Sequence, residues 1–210
     1  MARESALLRV KEGYTTGVRS LAARSMVGLA RTRVTPDALT ALGLAICATA
    51  AVAVYFEYRN EILWFWAGAI LFVAGSLLDV LDGALARQSG RGTPFGAFLD
   101  STTDRVGEAV MLGVIAIVFA RKGNEIALAA TFAAMTASFL VSYTRARAEA
   151  LSLKGDVGIG SRAERVTLIV SGLFLAPWGL LSWAVYLLNV TAWLTVVQRV
   201  LHVRRQLKQD

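Results

Sequence analysis

The sequence predicts an all-α integral membrane protein of six transmembrane helices, preceded by an N-terminal amphipathic helix lying at the membrane surface. Three observations predict it. Of the 210 residues 56% are hydrophobic and only 18% are charged, against about 25% charged in soluble domains. Uncharged stretches recur over 39–56, 62–78, 109–120, 126–144 and 166–198, and the mean hydropathy is +0.55. The charge that remains is basic, a formal net +7 with pI near 10.1, and it collects between the apolar stretches. That is the pattern of a multi-span membrane protein whose basic loops face one side.

Residues 1–34 hold no apolar run of the kind a signal peptide needs. Val10, Tyr14, Val18 and Leu21 recur at helical spacing, with Arg9, Lys11, Arg19 and Arg24 mostly off that stripe. The segment reads as an interfacial helix on an anionic leaflet. A spanning helix needs about 20 mostly apolar residues. The first, second and fourth uncharged stretches approach that length. The third is short and is extended back through Glu108 to a start near Phe95. The fifth is long enough for two spans, with Pro177, Trp178 and Gly179 offering the turn. Residues 35–202 therefore form the six-span domain and 203–210 a short tail.

The charges test the count. With six spans, nineteen of the 22 lysines and arginines fall on one side, leaving only Arg59, Arg121 and Lys122 on the other. The positive-inside rule then places both termini and the basic loops in the cytoplasm, in a multi-pass protein of the cell membrane. Topology accounts for the basic excess, so no nucleic-acid partner is inferred. The single cysteine, Cys47, excludes an internal disulfide and a thiolate cluster, and the single histidine, His202, excludes a multi-histidine site. Any metal must be held by carboxylates.

Four aspartates stand at one membrane edge. Asp79 and Asp82 are three residues apart where span two ends, and Asp100 and Asp104 are four apart where span three begins. Each pair shares a helix face. Gly90, Gly92 and Pro94 break the chain between them, and Thr93-Pro94 suits a helix cap and first position. A helical hairpin with two carboxylates on each arm follows. Four such groups repel one another unless cations lie between them. Hard oxygen donors suit Mg²⁺ or Mn²⁺, and two-metal sites recur in phosphoryl chemistry. A carboxylate not spent as a ligand can take a proton from an attacking hydroxyl. Gly83 lets a base or phosphate approach the backbone.

Asp79, Asp82, Gly83, Ala86, Arg87, Gly96, Asp100 and Asp104 reproduce the pattern D-x2-D-G-x2-A-R-x8-G-x3-D-x3-D of the CDP-alcohol phosphotransferases. Eight fixed positions match by chance on the order of 10⁻¹⁰ per start site, so the chain resembles that family strongly. The resemblance implies transfer of a phosphatidyl-type group from a CDP-linked lipid to an alcohol with release of CMP. It implies two Mg²⁺ ions, with Mn²⁺ possible, held by Asp79, Asp82, Asp100 and Asp104. Asp79 and Asp100 would bridge both ions, and Asp104 would also be the catalytic base. It further implies a CDP-lipid site at Asp37, Thr40, Gly83, Arg87 and Thr93, and a homodimer. Thr35-Pro36 is equally a helix cap.

The loop after span four, Arg145-Ala-Arg147-Ala-Glu149 followed by Glu164-Arg165, is similar to that of the bacterial phosphatidylinositol phosphate synthases. It departs in one place, carrying Arg145 where lysine is usual. The likeness implies CDP-diacylglycerol as donor and inositol 1-phosphate as acceptor, with the acceptor phosphate on Arg145, Arg147, Arg165 and Arg199. A phosphate dianion does favour convergent arginine forks. Residues i and i+2 of a straight helix, however, lie about 200° apart, so Arg145 and Arg147 both point inward only where the pocket wraps that helix or the helix distorts. Lys154 and Arg162 are expected to serve topology alone. Glycerol 3-phosphate as acceptor, an archaeal CDP-linked ether lipid as donor, and a cation transporter remain as alternatives. The transporter is disfavoured because the acids cluster at one edge instead of at midspan.

Overall fold

The first helix begins because Thr35 accepts a hydrogen bond from Ala38 N at 3.2 Å and Pro36 fixes the first helical position. In this computed structural model residues 35–90 and 92–208 are described; the interfacial helix expected over 1–34 lies outside them. The described helices are α1 (Pro36–Tyr55), α2 (Glu61–Ser89), α3 (Pro94–Arg121), α4 (Glu125–Ala150), α5 (Arg162–Leu175) and α6 (Leu181–Gln206), with 3₁₀ turns at Glu57–Arg59 and Ala176–Trp178. No strand occurs among the described residues.

Local chemistry sets the boundaries. Asn60 and Asn124 cap α2 and α4 through side-chain bonds of 3.0 Å. Gly90 ends α2 at φ +64, a left-handed position that favours glycine. Thr93 and Pro94 open α3 as the sequence predicts, with the Thr93 hydroxyl accepting from Gly96 N at 2.9 Å. The turn expected at Pro177–Gly179 is the second 3₁₀ segment, closed by Gly179 at φ +77. The last helix runs on to Gln206, past the boundary expected at 202.

Among the described residues four helical stretches are long and apolar enough to cross a membrane: Pro36–Arg59, Glu61–Arg87, Glu125–Ala150 and Leu181–Gln206. Helix α5, of 14 residues, is not among them, nor is α3, which carries Asp100, Asp104, Arg105 and Glu108 within its first fifteen residues. Ile70, Phe132, Trp183 and Val197 are all more than half exposed, as a lipid-facing surface requires. The protein is an all-helical membrane protein.

Helix α1 packs on both α2 and α3, α6 packs on α4 and α5, and α2 and α3 scarcely touch each other. The predicted hairpin is therefore splayed, with α1 bridging its arms. The α1–α2 approach depends on glycine. A Cβ on Gly75 would stand 2.6 Å from Cys47 Sγ and 2.8 Å from the Gly43 carbonyl, the small-residue contact of membrane helices. Gly75→Ala is expected to lower stability by roughly 1–3 kcal/mol through overpacking, read as a lower unfolding midpoint in detergent. An unchanged midpoint would contradict this close approach.

Phe65, Phe72, Met111, Leu112, Ile115, Leu173 and Leu188 fill the middle of the bundle. At one end Arg121 lies 3.7 Å from Glu57 and stacks on Tyr55, while Lys122 pairs with Glu61 at 2.8 Å. Two of the three cations predicted for that side are thus neutralised locally. The aspartates lie at the opposite end.

Candidate active site

Asp79 and Asp82 leave the last three turns of α2, and Asp100 and Asp104 the first three turns of α3. One carboxylate oxygen from each of Asp79, Asp82 and Asp100 lies within 4.8 Å of the others. Asp82 is 2% exposed and accepts a 2.5 Å hydrogen bond from the Thr40 hydroxyl, so α1 orients a carboxylate of α2. Asp104 is reached from a different helix: Arg162, the first residue of α5, places Nη2 2.5 Å from Asp104 Oδ1 and donates through Nη1 to Asp79. The Asp104 oxygen is buried and has no aligned hydrogen bond. Three carboxylates converging within 4.8 Å are a donor set that fits a hard divalent cation. Asp79, Asp82 and Asp100 could hold one, with Asp104 joined to Asp79 through Arg162.

A cleft of about 220 Å³ opens on one side of this cluster, lined by Asp37, Thr40, Asp82, Gly83, Arg87, Thr93 and Asp100 among others. Every position the resemblance implied for the CDP-lipid is there. The Arg87 guanidinium lies over Gly83, with Nη1 3.5 Å from where a Cβ would be.

On the other side a cavity of about 230 Å³ is lined by Arg105, Arg145, Arg162, Arg165 and Arg199 against the acids Asp104 and Glu108. Arg165, 3% exposed, forks onto Glu108 with Nε and Nη2 at 2.8 and 2.9 Å, and its Nη1 donates to the Gly160 carbonyl at 3.0 Å. Arg199 donates through Nε to Val157 O at 2.9 Å and through Nη1 to Val141 O. The loop over 151–161 is held on α6, where Gly160 N donates to Thr195 Oγ1 at 2.8 Å. A narrower space between them is lined by Thr40, which the first cavity shares, and by Asp104, Glu108 and Arg162, which the second shares.

The sequence model of the CDP-alcohol phosphatidyltransferase family matches residues 33–201. The chain belongs to that family. It is 40% identical over 183 residues to the archaetidylinositol phosphate synthase of Pyrococcus horikoshii, covering 86% of this chain and 89% of that one. Two crystal structures of Mycobacterium tuberculosis phosphatidylinositol phosphate synthase superpose with TM-scores of 0.77. One has CDP-DAG bound, is 32% identical and covers 88% of this chain and 94% of its own. The other is in complex with manganese and citrate, is 33% identical and covers 87% and 88%.

Within this CDP-alcohol phosphatidyltransferase, three of the four arginines expected to act together do share one cavity: Arg145, Arg165 and Arg199. Arg147 does not. It lines an adjoining groove with Tyr143, Leu151, Val203 and Leu207, and Arg199 lines both spaces. Lys154 meets Gln206 through its backbone, at 3.1 and 2.9 Å. Two site residues went unrecognised in the sequence. Arg162 was expected to serve topology alone, yet it touches Asp79 and Asp104. Its position three residues before Arg165 put it on the same face and was the available signal. Glu108, four residues after Asp104, carried the same signal.

Proposed function

We propose that this chain moves a phosphatidyl group from CDP-diacylglycerol to inositol 1-phosphate, giving phosphatidylinositol phosphate and CMP. The observation that carries this reading is that two cavities of different chemistry meet on one aspartate cluster. The first holds the five positions matching the CDP-lipid motif. The second has five arginines against two acids and suits an acceptor that is itself a phosphate.

Two divalent cations, Mg²⁺ or Mn²⁺, held by Asp79, Asp82, Asp100 and Asp104 supply charge neutralisation for a diphosphate and its leaving phosphate. Thr40 holds Asp82 in its orientation. Asp37, Thr93 and Arg87 bind the CDP moiety, and Gly83 lets it lie against α2. Arg145, Arg165 and Arg199 hold the acceptor phosphate. Asp104 takes the proton from the acceptor hydroxyl as its oxygen bonds to the lipid-side phosphorus. The bond from that phosphorus to the bridging oxygen breaks, and CMP leaves with the electron pair. The reading includes six spans, with α3 and α5 completing the four apolar ones. It also includes a cytoplasmic active site, as the basic loops favour, and a homodimer.

Purified protein supplied with CDP-diacylglycerol and Mg²⁺ is expected to release CMP with inositol 1-phosphate, and not with free inositol or serine. Release with glycerol 3-phosphate alone would keep the aspartate chemistry and reject this acceptor. The Pyrococcus horikoshii relative makes a CDP-linked ether lipid the second donor to compare. Turnover with it alone would reject the diacyl donor.

A further inference from the structure

Arg162 touches both halves of the site. Its guanidinium reaches Asp79 and Asp104 on the cluster side, and the same residue lines the basic cavity beside Arg145, Arg165 and Arg199. A guanidinium at contact distance from these two carboxylates repels a divalent cation and occupies one oxygen of each. The neighbouring arginines differ. Arg165 is fixed by Glu108 and the Gly160 carbonyl, and Arg199 by the Val157 and Val141 carbonyls. Arg162 is instead held by the two acids. It also stands at the first position of α5, where the helix dipole disfavours a cation, so the acids and not the helix account for its place.

We propose that Arg162 competes with the divalent cation for Asp79 and Asp104, and that on displacement it turns into the basic cavity to bind the acceptor's phosphate. The inference rests on the metal site and acceptor pocket of the proposed function. It adds an order to them. A cation at the aspartates releases a positive charge into the acceptor pocket, and by linkage an anion in that pocket favours the cation. Acceptor binding is thereby tied to a loaded metal site.

The test is direct binding of Mn²⁺, and of inorganic phosphate with Mn²⁺ present, to the full chain in nanodiscs. Wild type is compared with Arg162→Gln by titration calorimetry. Removing one unit charge at contact distance is expected to tighten Mn²⁺ at least about tenfold. Phosphate should weaken by a similar factor. Structural damage alone would weaken both ligands, so the opposite signs are the signature. Equal or weaker Mn²⁺ binding in folded Arg162→Gln overturns the competition, and unchanged phosphate binding overturns the second role. Should that variant not fold, Arg162→Lys is read instead, because an ammonium cannot fork across two acids as a guanidinium does. Tighter Mn²⁺ binding in it supports the proposal, and equal or weaker binding overturns it. Wild type that binds no Mn²⁺ at all would reject the metal site itself. Wild type that binds Mn²⁺ and releases CMP, with no gain in the variants, would reject only this inference.

Discussion

Asp104→Asn is expected to abolish CMP release, with a loss of at least about 10³-fold. A positioned general base alone is worth about 10²–10⁴, and the same substitution removes one of four carboxylates from the proposed metal site. Asparagine keeps the shape of the side chain, so the packing of α3 on α1 should survive. The cleft lined by Asp37, Gly83, Arg87 and Thr93 lies on the other side of the cluster and does not include Asp104. Binding of the CDP-lipid should therefore weaken far less than turnover. Turnover in this variant within tenfold of wild type, in folded protein, would remove Asp104 as the base. A loss of donor affinity as large as the loss of turnover would mean that the two cavities are not separable as described.

Arg165→Ala is expected to do two things that a simple pocket arginine would not do together. The KM for the phosphorylated acceptor should rise, because a cation is lost from the basic cavity. The protein should also lose stability, because Glu108 is left as a buried carboxylate without its fork. Breaking a buried pair from one side typically costs about 3–5 kcal/mol, and both partners here are less than 8% exposed. Unfolding midpoints and acceptor KM should thus move together in Arg165→Ala. In Arg145→Ala only KM should move, since Arg145 pairs with Glu149 at an exposed position, where an ion pair is worth little. An unaltered midpoint in Arg165→Ala would falsify the structural half of this assignment, and an unaltered KM the binding half.

The contrast between Asp79 and Arg162 shows how much of the site was legible in the sequence. The aspartates could be read because acids at a membrane edge are costly and need a reason, and because their spacing is fixed by the helix repeat and by a family motif. Arginines on the cytoplasmic side already have a reason. The positive-inside rule explained Arg162, Arg165 and Lys154 equally, so it could not separate the residue that touches two aspartates from the one that only docks its backbone. The caps at Thr35, Thr93 and Gly90 were legible because single residues decide them. The splay of α2 from α3 was not, because i, i+3 and i, i+4 spacings say which face a carboxylate occupies and nothing about the distance between two helices. That distance depends on α1, which packs on both arms and approaches α2 closely at Gly43 and Gly75. The end of α6 was missed for a related reason. Arg204 and Arg205 looked like a tail by charge, but long cationic side chains extend from a continuing helix toward water.

The parting of α2 and α3 also bears on how the proposed donor is counted. Leu77, Val80, Phe95 and Phe98, more than half exposed, stand at the level of the aspartates, an apolar surface on which the acyl chains of the proposed donor can lie. Lifting a lipid's tails into water costs about 0.8 kcal/mol per methylene, a barrier that a side opening avoids. For this protein the concentration of donor that governs turnover is then a two-dimensional one, the fraction of lipid molecules in the surrounding leaflet. Diluting the donor among inert lipids would starve the site, while changing the volume of water would leave it untouched.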